Sequence, residues 1–129
     1  MRFSPKDPPR LFTVGNSVKF QIKDCGTIYL DADEQVTFVT ASGSEYDVTA
    51  KDWGFYATPS LNGRLQQFGL RGVLIRNRFT GNYFVLLVAQ GQEAKFDAYC
   101  QQENLVVVTW LDNNEALDRL ATALDKLDD

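Results

Sequence analysis

Histidine is missing altogether from the 129 residues. Its absence removes the usual general base near neutral pH and the commonest metal ligand. Ser-His-Asp and Cys-His nucleophilic sites are excluded with it, and with only two cysteines a zinc site is not expected. Cys25 and Cys100 are too few and too widely spaced for a disulfide framework, so both are expected as buried free thiols. Long apolar runs are lacking as well. The longest, YFVLLVA at 83–89, falls far short of the ~20 residues that a spanning helix takes. The opening MRFSPKDPPR carries charges and three prolines where a signal peptide needs an apolar core, so a cytoplasmic protein with no membrane partner is expected. DADE (31–34) lacks the DxDxDG spacing of a calcium loop, and neither GxGxxG nor GxxxxGK[ST] occurs. No metal and no cofactor is therefore expected.

One sign of charge is also locally absent. No Asp or Glu lies between Trp53 and Gln92, whereas Arg64, Arg71, Arg76 and Arg78 all do. That segment is +4, which leaves nine basic against seventeen acidic residues, or −8, for the other 89 positions of a chain with net charge −4. Arginine's planar fork suits bidentate contact with phosphate or carboxylate. A local basic zone on an acidic chain of pI ≈ 4.8 points to a small anion or an acidic protein partner. A nucleic-acid partner would call for a broader basic surface.

What is present reads as an α+β fold. At this length one domain is expected, here residues 11–129 after a flexible arm at 1–10 in which Pro5, Pro8 and Pro9 oppose regular structure. VKFQIK (18–23), TIYL (27–30), QVTFVT (35–40) and YDVT (46–49) predict a small antiparallel meander, with Cys25-Gly26 as one of its turns. GVLIRNRF (72–79) and NYFVLLVA (82–89) flank a tight turn at Gly81-Asn82. EAKFDAYCQQEN (93–104) predicts a helix with Phe96, Tyr99 and Cys100 on its buried stripe. LVVVTWL (105–111) reads as a central strand covered on both faces, and the crossover through the helix would let it run parallel to 82–89. Asp112 and Glu115 form a helix-start signal for 113–127, where Leu117, Leu120, Leu124 and Leu127 share a face. The expected architecture is a mostly antiparallel sheet, made of an N-terminal meander and a C-terminal ββαβα unit, with helices on one side.

The segment DWGFYATPSLNGRL (52–65) follows neither the helical nor the strand period. Read structurally, Trp53, Phe55 and Tyr56 plug the core and Pro59 stops a strand. Read functionally, Trp53 and Tyr56 offer flat faces for a ring, Thr58, Ser60 and Asn62 offer hydrogen bonds, and Arg64 offers an oxyanion fork. A helix starting near Ser60 would add its N-terminus. Arg76 and Arg78, two apart on a strand, would share a face and complete the anion site.

The run YDVTAKDWGFYATPSLNGRLQQFGLRGVLIRN, with FVLLV and VVTWLD after it, resembles a group of small uncharacterised bacterial proteins that accompany enzymes making cell-surface sugars of the nonulosonic-acid and polysaccharide type. The resemblance spans about residues 46 to 112. It implies that WGFYATPS and Arg64 belong to a recurring pattern, that a sugar-linked acidic ligand is to be expected, and carries over no catalytic residue.

Three functions follow as expectations. The first is an accessory protein binding an anionic small ligand, such as a sugar phosphate, nucleotide sugar or acidic sugar. Its ligand-binding residues would be Trp53, Tyr56, Thr58, Ser60, Asn62, Arg64, Arg76 and Arg78. The second is a protein-interaction or homo-oligomeric subunit, for example a homodimer, that uses the arginine face. The third is a histidine-independent enzyme with Asp52 or Asp47 as acid–base.

Overall fold

The computed structural model describes residues 1–16, 18–57 and 59–128. Eight strands and three helices follow one another: β1 (Arg2–Val14), β2 (Phe20–Tyr29), β3 (Gln35–Val39), β4 (Glu45–Lys51), β5 (Gly54–Tyr56), α1 (Arg64–Gln67), β6 (Leu70–Asn77), β7 (Tyr83–Ala89), α2 (Glu93–Glu103), β8 (Leu105–Trp110) and α3 (Asn114–Asp128). The strands form antiparallel sheets of order β1-β2, β3-β4-β5 and β7-β6-β8, an α+β fold. Two compact units result: Met1–Thr37 with Asp47–Ala57, and Phe38–Tyr46 with Thr58–Asp129. The β3–β4 hairpin contributes its base to the first and its tip to the second.

In the first unit the N-terminal segment is not an irregular arm. It is the 13-residue strand β1, paired with β2 from Arg2↔Tyr29 to Val14↔Phe20. The prolines are accommodated because the register breaks between Pro5 and Arg10, which leaves Pro8 and Pro9 where no ladder N–H is needed. Cys25-Gly26 does not turn the chain either. Both residues lie inside β2, and Gly26 at φ +149° faces Pro5 so closely that a Cβ there would sit 2.5 Å from the Ser4 carbonyl oxygen. The expected meander is thus split into a long ribbon and a separate small sheet. In the turn before β3, the Glu34 carboxylate accepts the Asp31 N–H at 2.7 Å and the Met1 ammonium at 2.9 Å. Those bonds hold the Glu34 pKa below its usual value, the backbone bond first.

The second unit is built on β6. Antiparallel neighbours on each side make β7 and β8 run in the same direction without touching, so the helix crossover joins parallel strands across an inserted one. The register puts Val73 and Ile75 on the same face as Leu86, Val88, Val107 and Trp110, and α2 covers that face with Phe96 and Cys100. This is the core. Tyr99, expected on the buried stripe, is exposed. β8 is an edge strand whose residues alternate between half-buried and exposed, not a central strand; the central place belongs to β6.

The β6–β7 turn spans residues 78–82, longer than a two-residue connection, because the Asn77 side chain accepts the N–H groups of Phe79 and Thr80 at 2.9 and 3.0 Å. At the start of α3 the capping oxygen comes from Asn113, whose Oδ1 accepts the Ala116 N–H at 3.1 Å. Asp112 is used elsewhere, as described next. Leu120, Leu124 and Leu127 are exposed, so the leucine stripe of α3 does not pack on the sheet.

Candidate functional site

The residues singled out in 52–65 divide between the two units. Trp53 stands in the β4–β5 turn and Tyr56 on β5, paired with Thr49; both are exposed, neither plugging a core. Thr58 lies outside the described residues. In the second unit the Ser60 hydroxyl accepts the Arg64 N–H at 2.8 Å, and the Ser60 carbonyl accepts the N–H of Leu65 at 3.1 Å. This local use of Ser60 produces the single turn α1, not a helix from Ser60 onward. Leu65 is driven fully inside, and Asn62 donates to the Asn114 side chain at 2.8 Å. The exposed guanidinium of Arg64 lies over Phe68 at 5.3 Å, and that of Arg76 over Tyr83 at 5.8 Å. Arg78 falls just past β6, in the turn, so strand alternation no longer fixes it beside Arg76.

Arg71 behaves differently from the other arginines of the basic zone. Its Nε and Nη2 donate to the two Asp112 oxygens at 2.6 and 3.2 Å, Glu93 stands 3.8 Å away, and its guanidinium stacks over Trp110 at 4.0 Å. The hydrogen bond to Asp112, ahead of the other charges, pushes the arginine's pKa further up. Glu93 directly follows the segment 53–92 and Asp112 lies twenty residues past it, so the sequence count of an uncompensated zone overstates it by this one charge. No signal in the sequence marks the pairing, because the partners are 41 positions apart.

A cleft of about 490 Å³ opens in the second unit, where the β3–β4 turn meets the ends of α1 and β7. Gly69 is its hub: its carbonyl accepts the Gln90 N–H at 2.9 Å, and the Ser44 hydroxyl donates to it at 3.4 Å. Glu45 N–H donates to the Phe68 carbonyl at 3.1 Å. The lining is mostly serine, glycine and glutamine, and none of the eight predicted ligand residues belongs to it. Sequence reasoning missed this cleft, since its three segments are far apart in the chain and are joined by bonds to main-chain carbonyls, the Gln90 side chain to Gln66 at 2.9 Å among them.

Among the described residues no group of three or more Cys, Asp or Glu is placed to hold a metal ion. Both cysteines are free; Cys100 is buried, which pushes its thiol pKa up, but Cys25 is exposed, against expectation. The Asp47 carboxylate accepts the Thr37 hydroxyl at 2.6 Å across the β3–β4 pair. No helix among the described residues is long and apolar enough to cross a membrane.

What the fold defines is an α+β chain with large exposed apolar surfaces. Comparison with family models, with curated proteins and with solved structures finds no match in any of the three.

Proposed function

We propose that the protein is an interaction subunit that associates with further copies of itself. The observation that carries this reading is the β1–β2 ribbon. Six apolar residues pair across it: Phe3 with Ile28 before the register break and, after it, Phe12 with Ile22 and Val14 with Phe20, the last two pairs sharing one face by strand alternation and bordered there by the Arg10–Asp24 ion pair at 3.3 Å. Four of them are exposed, with Phe12 and Val14 half-buried. The opposite face pairs Arg2 with Tyr29 and Leu11 with Lys23, so its cations stay in water. A lone two-stranded ribbon is marginal in water, and exposed apolar surface of this kind marks an interaction site. The same patch on two copies, laid face to face, makes a two-layer sandwich, the self-complementary contact of a two-fold dimer.

Light scattering across a concentration series checks this. The mass is expected to rise from 14.6 kDa to a multiple of it. A Phe20→Ser/Ile22→Ser variant is expected to reach that multiple only at concentrations at least roughly a hundredfold higher, since each side chain's full burial is worth about 1.5–3 kcal/mol. A monomer at every concentration overturns the reading.

A second reading, an anionic small ligand of the sugar-phosphate or acidic-sugar class, is favoured by the exposed Arg64 and Arg76, whose guanidiniums rest on aromatic rings. It predicts stabilisation of about 2.7 kcal/mol when the ligand is at a hundredfold excess over Kd. A thermal-shift screen of nucleotide sugars, acidic sugars and phosphate would read that shift, and Arg64→Ala is expected to abolish it.

A further inference from the structure

The cleft of about 490 Å³ in the second unit has the volume of a small-molecule site, and hydrogen bonds within the chain hold its walls. On one side the β3–β4 turn is tied by the Gly43 N–H to the Thr40 carbonyl at 2.9 Å and by the Thr40 N–H to the Ser44 carbonyl at 3.1 Å. The Thr40 and Ser42 hydroxyls bond each other there at 2.9 Å. On the other side Gln90 is held twice, its N–H on the Gly69 carbonyl and its side chain on the Gln66 carbonyl, each at 2.9 Å. Three lining residues with long polar side chains take no part in this frame. Among the described residues, the side chains of Glu45, Gln67 and Gln92 have no hydrogen-bond or ion-pair partner, and all three residues are exposed. Phe68, half-buried, is the one aromatic residue beside them.

We infer that this cleft binds a neutral, polyhydroxylated small molecule, a sugar or a polyol, at a place separate from the anion that Arg64 and Arg76 would take. Charge narrows the ligand first. Among the described lining residues Glu45 is the only charged one, so a phosphate or carboxylate would meet a like charge and no cation. Arg64 lies over the Phe68 ring at 5.3 Å but does not line the cleft. The donor and acceptor inventory narrows it further. Gln67 and Gln92 each offer an amide NH₂ to donate and a carbonyl to accept, whereas the Glu45 carboxylate only accepts. The Ser44 hydroxyl already donates to Gly69 at 3.4 Å and is left as an acceptor. An ammonium ligand only donates, and would leave the amide N–H groups unmatched. A hydroxyl donates and accepts at once, so a ring or chain of hydroxyls meets both sets. Phe68 offers apolar surface for the C–H face of such a ligand.

Proton–nitrogen correlation NMR of the isotope-labelled full chain reads binding residue by residue. N-acetylglucosamine, galactose and sorbitol are each titrated to about 50 mM, enough to approach saturation for a Kd in the millimolar range. The expected result, with at least one of the three, is saturable movement of the Gly43, Gly69 and Gln90 amides and of the Gln67 and Gln92 side-chain NH₂ signals. Sugars binding without sorbitol would mark a ring site, and sorbitol binding alone a site for open polyols; either supports the inference. Galactose phosphate is expected to bind about tenfold more weakly than galactose, because its charge faces Glu45. Gln67→Ala and Glu45→Ala are each expected to weaken binding about tenfold, the worth of a good hydrogen bond. Both residues are exposed, so the fold is expected to be kept, and the same spectra check it. Arg64→Ala is expected to change nothing here, which separates this cleft from the anion reading. No saturable movement with any of the three probes overturns the inference. So does movement that survives unchanged in the Gln67→Ala/Glu45→Ala double variant, or tighter binding of the phosphate than of the free sugar.

Discussion

Replacing Phe96 with alanine is expected to cost about 3–5 kcal/mol, the range for truncating a buried aromatic. The ring is the main contribution of α2 to the core. It is buried against a sheet face made of Val73, Ile75 and Val88, and meets Trp110 edge-on at 5.9 Å between centroids. Alanine would leave a cavity that the rigid sheet cannot close, because its three strands are held by their own ladders. Against a total stability of about 5–15 kcal/mol for a domain, this loss is a large fraction. Urea denaturation followed by circular dichroism and tryptophan fluorescence would show the midpoint fall. Tyr99→Ala, one turn further along the same helix and exposed, is expected to stay within about 1 kcal/mol. Equal effects from the two substitutions would sink the assignment of the core to this face.

The second large effect is expected at Asp112. Its side chain is 9 % exposed and accepts two hydrogen bonds from the Arg71 guanidinium, which lies over the Trp110 ring at 4.0 Å. Removing one member of a buried pair strands the other charge, at about 3–5 kcal/mol. Here Arg71 keeps Glu93 at 3.8 Å and some contact with water, so Asp112→Ala is expected to cost about 2–3 kcal/mol, below the range for a fully buried pair. Asp112→Asn keeps the shape and removes the charge, and should lose most of the same amount. A double-mutant cycle with Arg71→Ala measures the coupling directly. The folded-state pKa of Arg71 is raised, so the stabilisation it contributes is complete below arginine's ordinary, strongly basic range and is lost only above the folded value. The arginine's own titration therefore adds no pH dependence near neutrality.

Charge counting along the chain treats Arg71 as one of four equivalent cations. In the fold it is a structural residue bound by Asp112 and Glu93, while Arg64 and Arg76 stay at the surface over aromatic rings. Sequence distance hides this, because an ion pair depends on where two strand ends meet. The same holds for the cleft around Gly69, assembled from segments near 44, 68 and 90 by hydrogen bonds to the Phe68 and Gly69 carbonyls. The aromatic loop at 52–65 was legible as irregular, but not as a segment whose two ends serve different units.

The sequence by itself determined the elements with strong local signals. The β6 and β7 patterns, the span of α2 and the long amphipathic α3 all follow from apolar periodicity, from the break at Gly91 and from the helix-start signal of Asp112 and Glu115. Periodicity states which face of an element is apolar. It does not state what lies against that face. Only the tertiary structure decided that β6 rather than β8 holds the centre of the sheet, since a β-branched run looks alike in either place. It alone showed that a proline-rich start can be a strand, because an irregular stretch in a two-stranded ribbon asks for no N–H at Pro8 and Pro9. And it alone left Leu120, Leu124 and Leu127 of α3 and much of the apolar face of the ribbon open to water, because burial is a property of neighbours, which periodicity does not name.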